Sequence, residues 1–168
     1  MLFKRFNRSI SKTSPGVASQ NRPSIIFRLA DFYLIYAEVA NEVNPSDSRV
    51  LTYLNLVRER AGLPKVEILN PGIVGNKELQ RAAIQRERQI ELATEGQRYF
   101  DVRRWMIAPQ TESKTMHGIE ITRATDGTKT WKEFDVRTHV WRPAMYFFPI
   151  PYNETVKSKD LLQNPYYN

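Results

Sequence analysis

The chain contains no cysteine. Disulfides, thiolate metal sites, thiol nucleophiles and lipidated cysteines are therefore excluded from these residues. Long apolar runs are missing too: nothing approaches the roughly 18 consecutive apolar residues that a spanning helix needs. The opening MLFKRFNRSISK is basic, but it has neither the apolar stretch nor the small-residue cleavage site of a secretory signal peptide. Histidine is scarce. His117 and His139 stand at no metal-ligand spacing from each other or from an acid. Phosphate loops, nucleophile elbows and calcium loops are absent as motifs. These gaps argue against an enzyme, and no metal or cofactor is expected.

What is present suits one domain: 168 residues, of ordinary apolar and charged content, can enclose a real core. The net charge of +7 is unevenly placed. Residues 1–28 hold six cations (Lys4, Arg5, Arg8, Lys12, Arg22 and Arg28) and no acid, while the rest is close to balanced. The excess is therefore a basic extended or loop segment over 1–27, not a charged face on the folded body. A nucleic-acid module carries its positive charge along one helix or face, so nucleic acid is not an expected partner.

From Arg28 onward the pattern becomes helical. Leu29, Phe32, Tyr33, Tyr36, Ala40 and Val43 share one face, which predicts a helix over 28–43 that stops at Asn44-Pro45. Ser46 or Asp47 can cap a second helix with Val50, Leu51, Leu54 and Val57 as its buried stripe. Gly62 is placed to end it in a left-handed conformation, and Pro64 prevents resumption. Together they form a helix hairpin of tetratricopeptide size. Residues 64–75 read as a loop, and Asn76 caps a third helix in which Gly96 marks a kink or break. After about 107, two short β segments flank the hairpin turn signal Asp126-Gly127. The proline-interrupted end is expected to be extended.

The third helix carries unusual charge. Arg88, Glu91, Glu95 and Arg98 are spaced three, four and three apart, so on a continuous helix they line one face, with Asp101 three further on. Arg86, Glu87, Arg103 and Arg104 stand among Ile84, Ile90, Leu92 and Phe100, which implies that some charges are enclosed. An acid/base pair of Glu91 and Glu95 would need its pKa values pushed apart, whereas arginine neighbours hold both carboxylates ionised. The pattern predicts a structural ion network of Arg88, Glu91, Glu95, Arg98, Asp101, Arg103 and Arg104, and no catalytic residue. Among the aromatics, Trp105 and Trp141 are expected to pack inside. Trp131 lies in the β-hairpin, where side chains alternate between faces, and is the one candidate for touching a ligand.

Five blocks in order, RLADFYLIYAEVANEV, LNLVRERAGLP, ERQIELATEGQRYFDVRRW, YFFPIP and LLQNPYYN, resemble the C-terminal part of the SusD/RagB family over roughly residues 28–168. The resemblance implies a mainly α fold. It combines a tetratricopeptide-like helix hairpin, a kinked charged helix, a small β-hairpin and an extended C-terminal segment. It also implies a surface-exposed outer-membrane lipoprotein that captures glycans or peptides and lies over a SusC-like TonB-dependent transporter. Family members are much longer and begin with a signal peptide and a lipidated cysteine, so this chain is expected to be a C-terminal scaffold portion. None of the matched residues is a family ligand contact. A self-contained helical protein-interaction adaptor is the alternative. Tyr166 stands where the family has glycine, which puts the turn there in question.

Overall fold

The computed structural model describes residues 26–158 and 160–167, which fall into two compact units dividing after Arg98. The basic segment expected over 1–27 lies almost wholly outside the described residues. No helix among the described residues is long and apolar enough to cross a membrane.

In the first unit, helix α1 (Leu29–Val43) packs on α2 (Ser48–Arg60) and on α4 (Lys77–Glu91). Asp47 is the α2 cap, its carboxylate accepting from the Arg49 amide at 2.9 Å. The same helix ends in a Schellman motif. Gly62 sits at φ +77°, its amide donates to the Glu59 carbonyl at 2.9 Å, and Leu63 donates to Arg58 at 2.9 Å. Asn76 caps α4 by accepting from the Leu79 amide at 3.1 Å.

The core is built from Leu34 and Ala37 of α1, Val50, Leu54 and Val57 of α2, and Ile84 of α4. On α1 the buried stripe is Ala30, Asp31, Leu34, Ala37 and Asn41. The stripe read from the sequence is mostly turned outward, with Leu29, Phe32, Tyr36 and Val43 exposed. Two apolar stripes run along this helix, and the inner one uses alanines that let neighbouring helices approach closely.

Residues 64–75, expected as a loop, contain a single helical turn, α3 (Val66–Leu69), and a 3-10 turn (Pro71–Ile73). Val66 and Ile73 plug into the core. Asn55 of α2 clamps this segment: its Oδ1 accepts from the Val66 amide at 3.0 Å while its Nδ2 donates to Glu67 at 2.8 Å. At Gly96 the chain breaks instead of kinking. Helix α4 ends at Glu91, Thr94 (φ +70°) and Gly96 (φ +79°) adopt left-handed conformations, and α5 (Gln97–Arg104) starts afresh.

In the second unit, α5 ends as α2 does, but with a non-glycine residue in the left-handed position. Met106 (φ +56°) donates to the Arg103 carbonyl at 3.0 Å and Ile107 donates to Val102 at 3.1 Å. A short α6 (Ala108–Thr111) precedes strands β1 (Thr115–Arg123) and β2 (Lys129–Thr138), which pair antiparallel as a two-stranded ribbon. Trp131 stands opposite Ile121, and a bulge lies between Met116 and His117. The tip closes with Gly127 at φ +89° and the Asp126 carboxylate accepting from the Thr128 amide at 2.8 Å. That bond holds the Asp126 carboxyl below its usual range.

The C-terminal segment is extended in part, but Tyr152–Lys157 form helix α7 behind Pro151, with Glu154 in its first turn. Gln163 fastens the chain end, its amide donating to the Ile150 carbonyl at 2.8 Å and accepting from the Ile150 amide at 2.7 Å. Tyr167 donates to the Ala144 and Phe147 carbonyls at 3.0 Å. Between these anchors Tyr166 adopts φ +71°, a left-handed conformation that glycine enters more readily than tyrosine.

Candidate functional site

The densest polar feature is a lattice of arginines and carboxylates in the first unit. At the foot of α1, Arg28 reaches two acids. Its Nε donates to Glu95 at 2.9 Å, its Nη1 to the Glu91 carboxylate at 2.5 Å and its Nη2 to the Glu91 carbonyl at 2.6 Å. From α2, Arg60 donates to the same Glu91 oxygen, and Arg58 binds Glu87 at 2.8 Å. From α4, Arg88 turns to Asp31 of α1 at 2.8 Å. Three helices and the break after α4 are thus joined by charge-assisted bonds, and Glu87, Arg88, Glu91 and Asp31 are all buried. Burial alone would lower the Arg28 pKa, but the hydrogen bonds it donates to Glu95 and Glu91 outweigh that and raise the value.

The sequence-derived set is only partly gathered here. Arg88, Glu91 and Glu95 belong to the lattice, and Arg98, half-buried at the start of α5, is itself engaged in an interaction. In the second unit Asp101 is buried and accepts from Arg104 at 2.9 Å. Arg103 touches no carboxylate among the described residues. It lies 3.4 Å over the Tyr99 ring and donates to the carbonyls of Tyr99 (2.9 Å) and Met145 (3.2 Å). The residues that sequence spacing missed are Arg28, Asp31, Arg58 and Arg60. They stand outside the charged run: Arg28 and Asp31 lie one helical turn apart at the start of α1, whereas Arg58 and Arg60, two residues apart on α2, share no face.

The aromatics divide as their environments dictate. Trp131 is 64% exposed on the ribbon, on the same face as Ile119 and Ile121. Trp105 is half-buried under the Arg104 guanidinium, 4.5 Å from its ring centre. Trp141 is half-buried and edge-on to Tyr146 at 5.2 Å. His117 lies 2.8 Å from Asp135 across the ribbon. Among the described residues no cluster of three or more His, Cys, Asp or Glu is arranged to hold a metal ion. Beside the lattice an open groove of about 500 Å³ runs past Leu63, Val66, Leu69, Ile73 and Ile90.

Comparison with known proteins converges on one group. The SusD family model matches residues 1–167. A SusD-like protein of Formosa agariphila is 44% identical over 106 residues, covering 63% of this chain and 19% of the relative. A second from the same organism is 31% identical over 144 residues, covering 83% of this chain and 25% of the relative. The crystal structure of a SusD-like protein from Bacteroides fragilis superimposes with a TM-score of 0.73 at 35% identity, over 86% of this chain and 26% of that one. The chain therefore spans about a fifth to a quarter of the length of the relatives it matches. On the helical fold, the five sequence blocks and the family match, the chain belongs to the SusD family.

Proposed function

We propose that residues 28–168 form the helical scaffold of a nutrient-binding protein at the outer-membrane surface. That protein captures oligosaccharide or peptide and delivers it to a SusC-like TonB-dependent transporter. The single observation that carries this reading is the family match over residues 1–167. The lattice supports a scaffold role in place of a catalytic one. Its buried carboxylates are taken up in hydrogen bonds to guanidinium groups that tie one helix to another. Trp131 is the side chain of this chain that we assign to ligand contact, because an exposed indole on a ribbon offers a flat apolar face to a sugar ring.

Isothermal titration of the complete gene product against a panel of oligosaccharides and peptides tests the reading. Saturable binding of at least one member is expected, and no binding by any would sink it. In that protein Trp131→Ala is expected to weaken the ligand by roughly fivefold.

An adaptor role is the second reading, favoured by the outward apolar stripe of α1. It calls for cooperative, monomeric unfolding of the 168 residues alone. A scaffold lacking its neighbours would instead bind a hydrophobic dye strongly.

A further inference from the structure

Residues directly opposite each other in an antiparallel pair share a face, as do residues two apart on one strand. On the face that carries Trp131, three successive pairs run from root to tip: Ile119 with Glu133, Ile121 with Trp131, and Arg123 with Lys129. The indole is 64% exposed and Ile121 opposite it 55%, so together they make an open apolar shelf. Two cations stand one step beyond that shelf toward the tip, and a carboxylate stands one step beyond it toward the root.

The cation pair is out of keeping with the rest of the ribbon. Like charges directly opposite one another are destabilising, because their Cβ atoms are only about 4.5–5.5 Å apart. On the reverse face the charged pair is Glu120 with Lys132, which balances itself. Arg123 and Lys129 are both exposed, and among the described residues neither meets an acid. The tip carboxylate of Asp126 is turned to the Thr128 amide at 2.8 Å. An anion seated between the two cations would remove their repulsion.

The spacing constrains that anion further. Two residues along a strand cover about 7 Å, so the cations lie beside the shelf and not on it. A pyranose ring flat on the indole then presents a rim substituent to the guanidinium and the ammonium. The guanidinium can hold a carboxylate or sulfate group by two parallel bonds. On the root side, the exposed Glu133 repels an acid and can accept from sugar hydroxyls, which directs the acid group toward the tip.

We infer that this ribbon face takes an acidic sugar, its ring on Trp131 and its carboxylate or sulfate group between Arg123 and Lys129. The inference rests on the assignment of Trp131 to ligand contact and adds the class of sugar to it.

Isothermal titration of the complete gene product against matched trisaccharides tests it. The set is galacturonate, its methyl ester (the same ring without the charge), sulfated galactose and neutral galactose, with an aspartate peptide of equal charge as the control for charge alone. At least one acidic trimer is expected to bind roughly threefold to tenfold tighter than its neutral counterpart. That difference should shrink as salt is raised. Arg123→Gln combined with Lys129→Gln is expected to abolish the difference and leave neutral binding as it was. Lys132→Gln, the same kind of charge loss on the reverse face, should leave the difference intact. Far-UV circular dichroism checks that the variants remain folded. Preference for the uronate or for the sulfate supports the site equally and names its acid. Equal binding of acidic and neutral trimers, no binding of either acidic trimer, equal binding of the aspartate peptide, or a preference that survives the double variant would overturn the inference. If Trp131→Ala still weakens a neutral ligand in that event, the assignment of Trp131 to ligand contact stands without it. Trp131→Ala with no effect on any ligand would overturn both.

Discussion

Replacing Glu91 with alanine removes a buried acid that joins α4 to α2 and to the cap of α1. Its carboxylate, only 4% exposed, accepts from Arg28 and Arg60 at once. Breaking a fully buried ion pair costs about 3–5 kcal/mol, because the abandoned charge stays out of water. Arg28 and Arg60 differ as partners. Arg60 is 55% exposed and can turn to solvent, so its share is that of a surface pair, about 0–1 kcal/mol. Arg28 is 20% exposed and keeps Glu95 and the Glu91 backbone carbonyl, so one of its charged bonds is lost and not all of them. A charged hydrogen bond contributes about 1.5–3 kcal/mol, which places the total for Glu91→Ala at about 2–3 kcal/mol. Arg60→Ala should cost less than about 1 kcal/mol. Urea unfolding followed by circular dichroism measures both, with an unchanged slope as the check that the unfolded state is not altered. A loss under about 1 kcal/mol for Glu91→Ala, or an equal loss for Arg60→Ala, would refute the assignment of Arg28 as the partner that matters.

Tyr166→Gly should stabilise the chain by roughly 0.5–1 kcal/mol. A left-handed non-glycine residue costs about 1–2 kcal/mol, offset by glycine's greater freedom when unfolded, and the tyrosine ring is already exposed. A lower denaturation midpoint in this variant would count against a strained Tyr166. Asn55→Ala strands the Val66 amide and frees Glu67, and should cost about 2–3 kcal/mol, with faster hydrogen exchange at Val66 as the local sign. Unaltered exchange there would show that the clamp is unimportant. The Glu42 carboxylate is drawn down to about 2 by its hydrogen bond to Arg81 and then by Lys77. A depressed carboxylate contributes stability above its ordinary value of 4.5 that fades as pH falls toward about 2, so Glu42→Gln should flatten the acid limb of a melting profile in that window. An acid limb of identical steepness in the variant would contradict it.

The boundaries of α1 and α2 were legible because their stop and start signals are chemical: Pro45 after Asn44, the Asp47 cap and Gly62 at positive φ. The inward face of α1 was not, because the helix is apolar on two sides and its buried stripe includes Asp31 and Asn41, which hydropathy places outside. The turns at 66–69 and 71–73 are too short to show a helical period. Spacing brought Arg88, Glu91 and Glu95 to notice, but assumed that one helix ran through them. The chain breaks after Glu91, and α1, its cap and α2 supply partners to them. Such long-range pairs leave no local trace. Tyr166 was the reverse case: a single departure from glycine pointed to the very residue whose backbone is left-handed.

The β-ribbon leaves and rejoins the body at neighbouring points, since the His139 amide donates to the Lys114 carbonyl at 2.9 Å. A loop whose ends meet can change length at its far tip without shifting what lies at its root. The tip at Asp126-Gly127 is therefore a natural place for insertions to accumulate between relatives. It is also the place where a tag or reporter domain could be grafted without disturbing the helices.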